Sequence, residues 1–154
     1  MSDELRVIFL DFDGVLNSHS YLLELGHHDP GPEQLCTERI ARINRICEQT
    51  RARIVVSSQW RHGRTVDELR DLLRSRGCTA PIIDRTDVGS SAHRGDQIAD
   101  WIRDHEVASY VVLDDLGGPC LSPVTDRLVQ TDYMGDGLTD EHVERAVNML
   151  EGSE

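Results

Sequence analysis

Two apolar runs in this chain stop on carboxylates. Val7-Ile8-Phe9-Leu10 leads into Asp11-Phe12-Asp13-Gly14, and Tyr110-Val111-Val112-Leu113 leads into Asp114-Asp115. Like charges crowded at the end of a buried segment repel each other and lose hydration, so a cation or a proton must relieve them. A lone Asp-x-Asp reads equally well as a solvated turn. A second acidic pair behind a second apolar run argues for a shared site, because both runs can deliver their carboxylates to one edge of a sheet. Oxygen-only ligands of this kind suit Mg²⁺, a hard octahedral ion that keeps waters and accepts a phosphate oxygen.

Two other segments offer complementary groups. Ile54-Val55-Val56 ends in Ser57-Ser58-Gln59-Trp60-Arg61, where a hydroxyl and successive backbone N–H groups can cradle a phosphate. A plain serine turn fits the same residues. Arg94, in His93-Arg94-Gly95-Asp96, stands just ahead of a helical pattern and can aim a fixed positive charge at the acids; in isolation it reads as an exposed helix start.

The elements that must position these residues alternate along the chain. Short, nearly continuous apolar runs predict strands at Arg6–Leu10, Arg53–Val56, Pro81–Ile83, Tyr110–Leu113 and Leu128–Gln130. Helical periodicity predicts helices over Glu33–Gln49, Val66–Arg76, Gly95–Asp104 and Asp140–Leu150. Thr65-x-x-Glu68 announces the second of these as a capping box, Gly77 closes it, and Thr139 precedes the last with acids in its first turn. Strands alternating with helices predict an α/β fold, a mainly parallel sheet covered on both faces, in which active sites gather outside the carboxyl ends of the strands. At 154 residues the chain is expected to form one domain.

Composition narrows the function classes. The net charge is −12, and it is uneven: residues 1–83 hold 12 acids and 11 arginines, residues 84–154 hold 16 acids and 5 arginines. An acidic chain is a poor general binder of nucleic acid, although a local basic groove stays open as a reading. Every cationic side chain is arginine and none is lysine; base composition of the genome explains this, as does arginine's bidentate fit to phosphate. Cys36, Cys47, Cys78 and Cys120 are scattered without a Cys-x-x-Cys pair, and no apolar run is long enough to span a bilayer, so a cytoplasmic protein with reduced thiols and no membrane partner is expected.

The order Asp-x-Asp, Ser, Arg, Asp-Asp, each at a predicted strand or helix end, resembles the four motifs of the haloacid dehalogenase (HAD) superfamily over residues 6–115. The resemblance implies a Rossmann-like three-layer fold and an Mg²⁺-dependent phosphatase acting through an aspartyl-phosphate. Position by position, it implies Asp11 as nucleophile, Asp13 as general acid/base, Ser57 as the phosphoryl-binding hydroxyl and Arg94 as the motif-three cation. Asp11, Asp114, Asp115 and the backbone carbonyl of Asp13 are then the metal ligands, with Asp115 either direct or outer-sphere. The chemistry is self-consistent, since a carboxylate attacking a phosphomonoester needs positive charge on the phosphoryl oxygens and one acid/base can serve both half-reactions. A receiver domain carries similar residues, but there the acidic pair precedes the phosphorylated aspartate.

Neither Asn17–Pro32 nor Ser58–His93 has room for a cap domain, so the resemblance implies a minimally capped, open site and a large substrate. Ser58, Trp60 and Arg61 are the candidate substrate contacts, Trp60 by stacking a base and Arg61, with Arg64, by holding phosphates; Trp60 packed on the sheet and a structural Arg61 are the alternative. Arg39, Arg42 and Arg45 form either a phosphate track or a solvated face. His27-His28-Asp29 reads as a polar flap more readily than as a zinc site. The Ser-Ser-Gln-Trp-Arg run, with Val-Leu-Asp-Asp later, resembles the HAD domain of Swiss-army-knife RNA-repair proteins, which implies an RNA or DNA end, or a nucleotide, as the phosphorylated substrate. A phosphoprotein phosphatase and a non-catalytic phospholigand-binding module are the other readings; a pure binder has no use for Asp13.

Overall fold

The computed structural model of the chain describes residues 4–26, 31–87 and 93–152. His27-His28-Asp29 lies outside them. The described residues form strands β1 (Arg6–Leu10), β2 (Arg53–Val56), β3 (Ile82–Arg85), β4 (Ser109–Asp114) and β5 (Leu128–Gln130). The helices are α1 (His19–Leu25), α2 (Thr37–Thr50), α3 (Val66–Arg74), α4 (Arg94–Arg103) and α5 (Asp140–Glu151). The strands make one all-parallel sheet in the order β3-β2-β1-β4-β5.

Alternate residues of each strand feed opposite faces, as a two-residue period requires. Ile8, Leu10, Ile54, Val56, Val111 and Leu113 face one side, where Ile40, Ile43 and Ile46 of α2, Leu69 and Leu73 of α3, and Val143, Ala146 and Leu150 of α5 pack on them. Val7, Phe9, Val55 and Val112 face the other side, against Ile98 and Trp101 of α4 and Leu121 and Val124. Trp101 and Tyr110 both meet Phe9 edge to face. This is the three-layer α/β arrangement, and burial on both faces is why the central strands are apolar without alternation. Each fully buried aliphatic side chain in these layers contributes about 1.5–3 kcal/mol.

The ends of the elements carry their expected signals. Thr65 Oγ1 accepts the Glu68 N–H at 3.1 Å while the Glu68 carboxylate accepts the Thr65 N–H at 3.0 Å, completing the capping box of α3. Most boundaries fall within one or two residues of expectation, α3 ending at Arg74 with Ser75 as its C-cap, short of Arg76 and Gly77. The helix expected from Glu33 is a 3₁₀ turn over Pro32–Gln34 followed by α2 from Thr37, because Leu35 is drawn into the core and the Cys36 N–H donates to the Leu16 carbonyl at 2.7 Å. Strand β3 runs to Arg85, past the expected Ile83. Helix α1 was not foreshadowed at all: it buries no residue, so it has no apolar stripe to read, and it is held by the Ser18 hydroxyl cap and a left-handed Gly26.

Candidate active site

Register brings the strand ends together. Leu10 pairs with Val56 on one side and Leu113 on the other, so Asp11, Ser57 and Asp114 emerge abreast. The Asp11 N–H donates to the Leu113 carbonyl and the Ser57 N–H to the Leu10 carbonyl, each at 3.0 Å. Carboxylate oxygens of Asp11, Asp114 and Asp115 lie within 4.8 Å of one another, a grouping unique among the described residues. Arg94, first residue of α4, reaches them with Nη1 at 2.8 Å from Asp114 Oδ2 and 3.4 Å from Asp11 Oδ2. The other Asp114 oxygen accepts the Leu116 N–H at 3.0 Å.

Three carboxylates therefore surround one guanidinium. Burial first, then Asp114, push the Asp11 carboxyl well above the ordinary carboxylate range, with Arg94 pulling the other way and Asp115 adding to the rise. Asp115 is raised by burial and by Asp114, against a hydrogen bond to Asp11. Burial works against the charge of Arg94, but Asp11 and Asp114 outweigh it and its pKa rises. Hard oxygen donors with a surplus of negative charge, and no Cys or His among them, fit Mg²⁺.

Asp13 stands apart from that cluster. Its Oδ1 accepts Asn17 Nδ2 at 3.0 Å, and Trp60 Nε1 lies 3.2 Å from both of its oxygens. Asn17 is fully buried and in turn accepts the Gly14 N–H at 2.9 Å, so one side chain shapes the loop and holds the aspartate. Gly14 is required here: its φ is +83°, and a Cβ would stand 2.5 Å from the Asp115 carboxyl carbon. Thr131, behind β5, donates its hydroxyl to the Gly14 carbonyl at 2.6 Å. Asn17 and Thr131 were both missed in the sequence. Asn17 had a signal, a polar residue closing the buried Val15-Leu16 pair; Thr131 had none.

The loop after β2 corrects part of the expected substrate-binding set. Arg61 is 2% exposed. Its Nε donates to the Thr86 carbonyl at 2.8 Å, Nη1 to the carbonyls of Ser57 and Ser58 at 2.9 Å each, and Nη2 to Gln97 Oε1 at 2.7 Å. A guanidinium spent on four acceptors inside the protein shapes the loop, the structural alternative for Arg61; burial, then Arg94 and Arg85, lower its pKa. Ser58 is buried and its hydroxyl caps the following turn by accepting the Trp60 N–H at 3.2 Å. Trp60 is no open stacking platform either: Arg64 lies 5.5 Å over its ring, Phe12 packs on it with centroids 5.6 Å apart, and its N–H is committed to Asp13. Ser57 is fully buried. Among the described residues, its hydroxyl and that of Thr86 are the buried side-chain groups with no hydrogen-bond partner, at a cost of about 1–3 kcal/mol each.

The Arg39/Arg42/Arg45 row is likewise spoken for. Arg39 donates to the Asp136 carbonyl and the Ser18 hydroxyl, while Arg42 and Arg45 share Asp140 at the start of α5. They staple elements together on a solvated face and form no track to the cleft. The cleft itself holds about 160 Å³ between Asp11, Asp13, Gln59, Arg94, Asp115 and Leu116. A second hollow of about 160 Å³, reached past Gln59, Arg94 and Leu116, is edged by His62, His93 and Cys120.

No helix among the described residues is long and apolar enough to cross a membrane. Neither a curated protein nor a solved structure matches the chain. A family model does, over residues 7–143: the HAD domain in Swiss Army Knife RNA repair proteins. The matched span begins in β1 and ends in α5, so it takes in all of the sheet but Arg6 and every residue of the cleft. The chain belongs to this family, and thereby to the HAD-type hydrolases.

Proposed function

We propose that this domain, acting as one unit, is an Mg²⁺-dependent phosphomonoester hydrolase that works through an aspartyl-phosphate on Asp11. The observation that carries the reading is the meeting of Asp11, Asp114 and Asp115 within 4.8 Å around Arg94, with a separate carboxylate, Asp13, on the same cleft. Asp11, Asp114 and Asp115 would hold the ion, joined by the Asp13 carbonyl. When bound, Mg²⁺ supplies charge neutralisation that lets an anionic nucleophile approach an anionic phosphoryl group.

The chain's own residues do the rest. An Asp11 oxygen attacks phosphorus in line as the bond to the leaving oxygen breaks, and Asp13 gives its proton to that oxygen. Asp13, now ionised, takes a proton from water as the water oxygen attacks the aspartyl-phosphate; phosphate leaves and Asp11 is restored. Arg94 offsets charge on the phosphoryl oxygens in a setting of low polarity, where a fixed cation is worth more than in water. Ser57, abreast of Asp11 at the end of β2 and with no partner for its hydroxyl, is the group we assign to the phosphoryl oxygens.

The substrate we favour is a phosphorylated RNA or DNA end. Two observations support it: the family's occurrence in RNA repair proteins, and a cleft that, among the described residues, is lined by strand ends, the turn at Gln59–Arg61 and the start of α4. Cytoplasmic localisation goes with this reading. Comparing 3′- and 5′-phosphorylated oligonucleotides, the matching mononucleotides and a phosphopeptide tests it. Higher kcat/KM on an oligonucleotide end, weakening as salt rises, is expected. Equal turnover of the mononucleotide rejects the nucleic-acid end, and preference for the phosphopeptide moves the protein to phosphoprotein chemistry.

A further inference from the structure

The indole of Trp60 links the loop after β2 to the loop after β1, where it meets Asp13. It rides on the Gln59–Arg61 turn, whose start is fixed by the Ser58 cap and whose carbonyls at Ser57 and Ser58 are pinned by buried Arg61. Its ring is fixed on one side by Arg64, whose Nη1 also donates to the Trp60 carbonyl at 2.9 Å, and on another by Phe12, neighbour to both Asp11 and Asp13. So constrained, its single N–H points between the two oxygens of Asp13 at 3.2 Å from each. Indole is a donor only, with one proton to give. A rigid ring that presents one donor to a carboxylate spanning its two oxygens sets where that carboxylate stands; Asn17 fixes Oδ1 alone.

From this geometry we propose that Trp60 is a positioning residue for Asp13, tying the aspartate that serves the leaving oxygen to the loop that serves the phosphoryl group. The inference rests on the acid/base reading of Asp13. Its consequence is that the phosphate-side loop and the proton donor keep a constant spacing across the cleft. Misplacing a catalytic group by about 1 Å costs on the order of 10²-fold in rate. Loss of the Trp60 N–H therefore slows phosphoryl transfer to Asp11, read as kcat/KM, and does so most where the leaving oxygen needs a proton.

The test is Trp60→Phe, which keeps a ring against Phe12 and removes the donor, assayed on an alkyl phosphate and on 2,4-dinitrophenyl phosphate, whose leaving group departs without a proton. We expect kcat/KM on the alkyl phosphate to fall on the order of 10- to 100-fold. For the dinitrophenyl ester kcat/KM, which excludes the later hydrolysis of the aspartyl-phosphate, should stay within about twofold, and Asp13→Asn/Trp60→Phe should be no slower than Asp13→Asn alone. Incorporating 3-benzothienylalanine at position 60, which exchanges N–H for sulfur in a ring of nearly the same shape, repeats the measurement without a packing change and must give the same split. Equal losses of kcat/KM on both substrates, or full additivity in the double variant, overturns the proposal. Normal turnover in Trp60→Phe beside an inactive Asp13→Asn overturns it alone, whereas an active Asp13→Asn removes the acid/base reading and this inference with it.

Discussion

The strand-end cleft and the α2–α5 face are built from the same two residue types in opposite proportion. In the cleft, Asp11, Asp114 and Asp115 crowd one arginine whose side chain is 12% exposed. On the outer face, Arg42 and Arg45 converge on one aspartate whose side chain is 69% exposed. Water screens the second arrangement and leaves it nearly neutral in energy. The first is shut away from water, so its surplus charge stays as a demand for a cation. The difference teaches that arginine density along a sequence says little about where anions bind, and that imbalance within a buried cluster says much more.

The largest effect should come from Asp11, the proposed nucleophile. Asp11→Asn is expected to lower kcat by at least about 10⁴-fold, as removal of an attacking group does elsewhere, with circular dichroism unchanged; near-normal turnover would break the contrast at its centre. Next is the ion. Chelation by EDTA should silence the enzyme, and Asp114→Asn should raise the Mg²⁺ concentration for half-maximal activity by at least about tenfold. Full activity in EDTA, or recovery with zinc alone, would mean that the surplus charge serves something other than Mg²⁺.

The two regions should also respond to pH with opposite sign. Because the Asp11 carboxyl is raised, the folded chain holds its proton more tightly than the unfolded chain does. Its contribution to stability then falls as pH climbs from the ordinary carboxylate value to the raised one. Asp11→Asn should therefore melt higher than the parent at neutral pH without Mg²⁺, and the gap should close in acid. Asp140 is lowered by its hydrogen bond to Arg42, so its contribution is present above the ordinary carboxylate value and fades as pH falls through the lowered one. The smallest effect belongs to Asp140→Asn: a slight drop in Tm that vanishes in about 1 M salt, with kcat/KM untouched. A marked loss of activity there would erase the distinction between the faces.

What could be read beforehand follows from where each cause resides. The acidic pairs were legible because two buried runs end on them, and burial on both sheet faces leaves a run of apolar letters. The cap of α3 was legible because both of its partners lie within four residues. For Arg61 and Trp60 the sequence left a substrate contact and a structural role both open, since the choice depends on how a 3₁₀ turn follows β2 and where a guanidinium finds carbonyls far away in sequence. Thr86 O and Gln97 are 25 and 36 residues from Arg61. Helix α1 escaped for the converse reason, having no core contact to imprint a period.

Gly14 turns in front of Asp115 with no room for a Cβ between them. The bend that carries Asp13 is thereby seated against the end of the β4 run by direct contact. A methyl group at position 14 would act as a wedge, prising apart the two strand tips that supply the carboxylates. The site's smallest residue thus works as its spacer gauge, setting the gauge to zero.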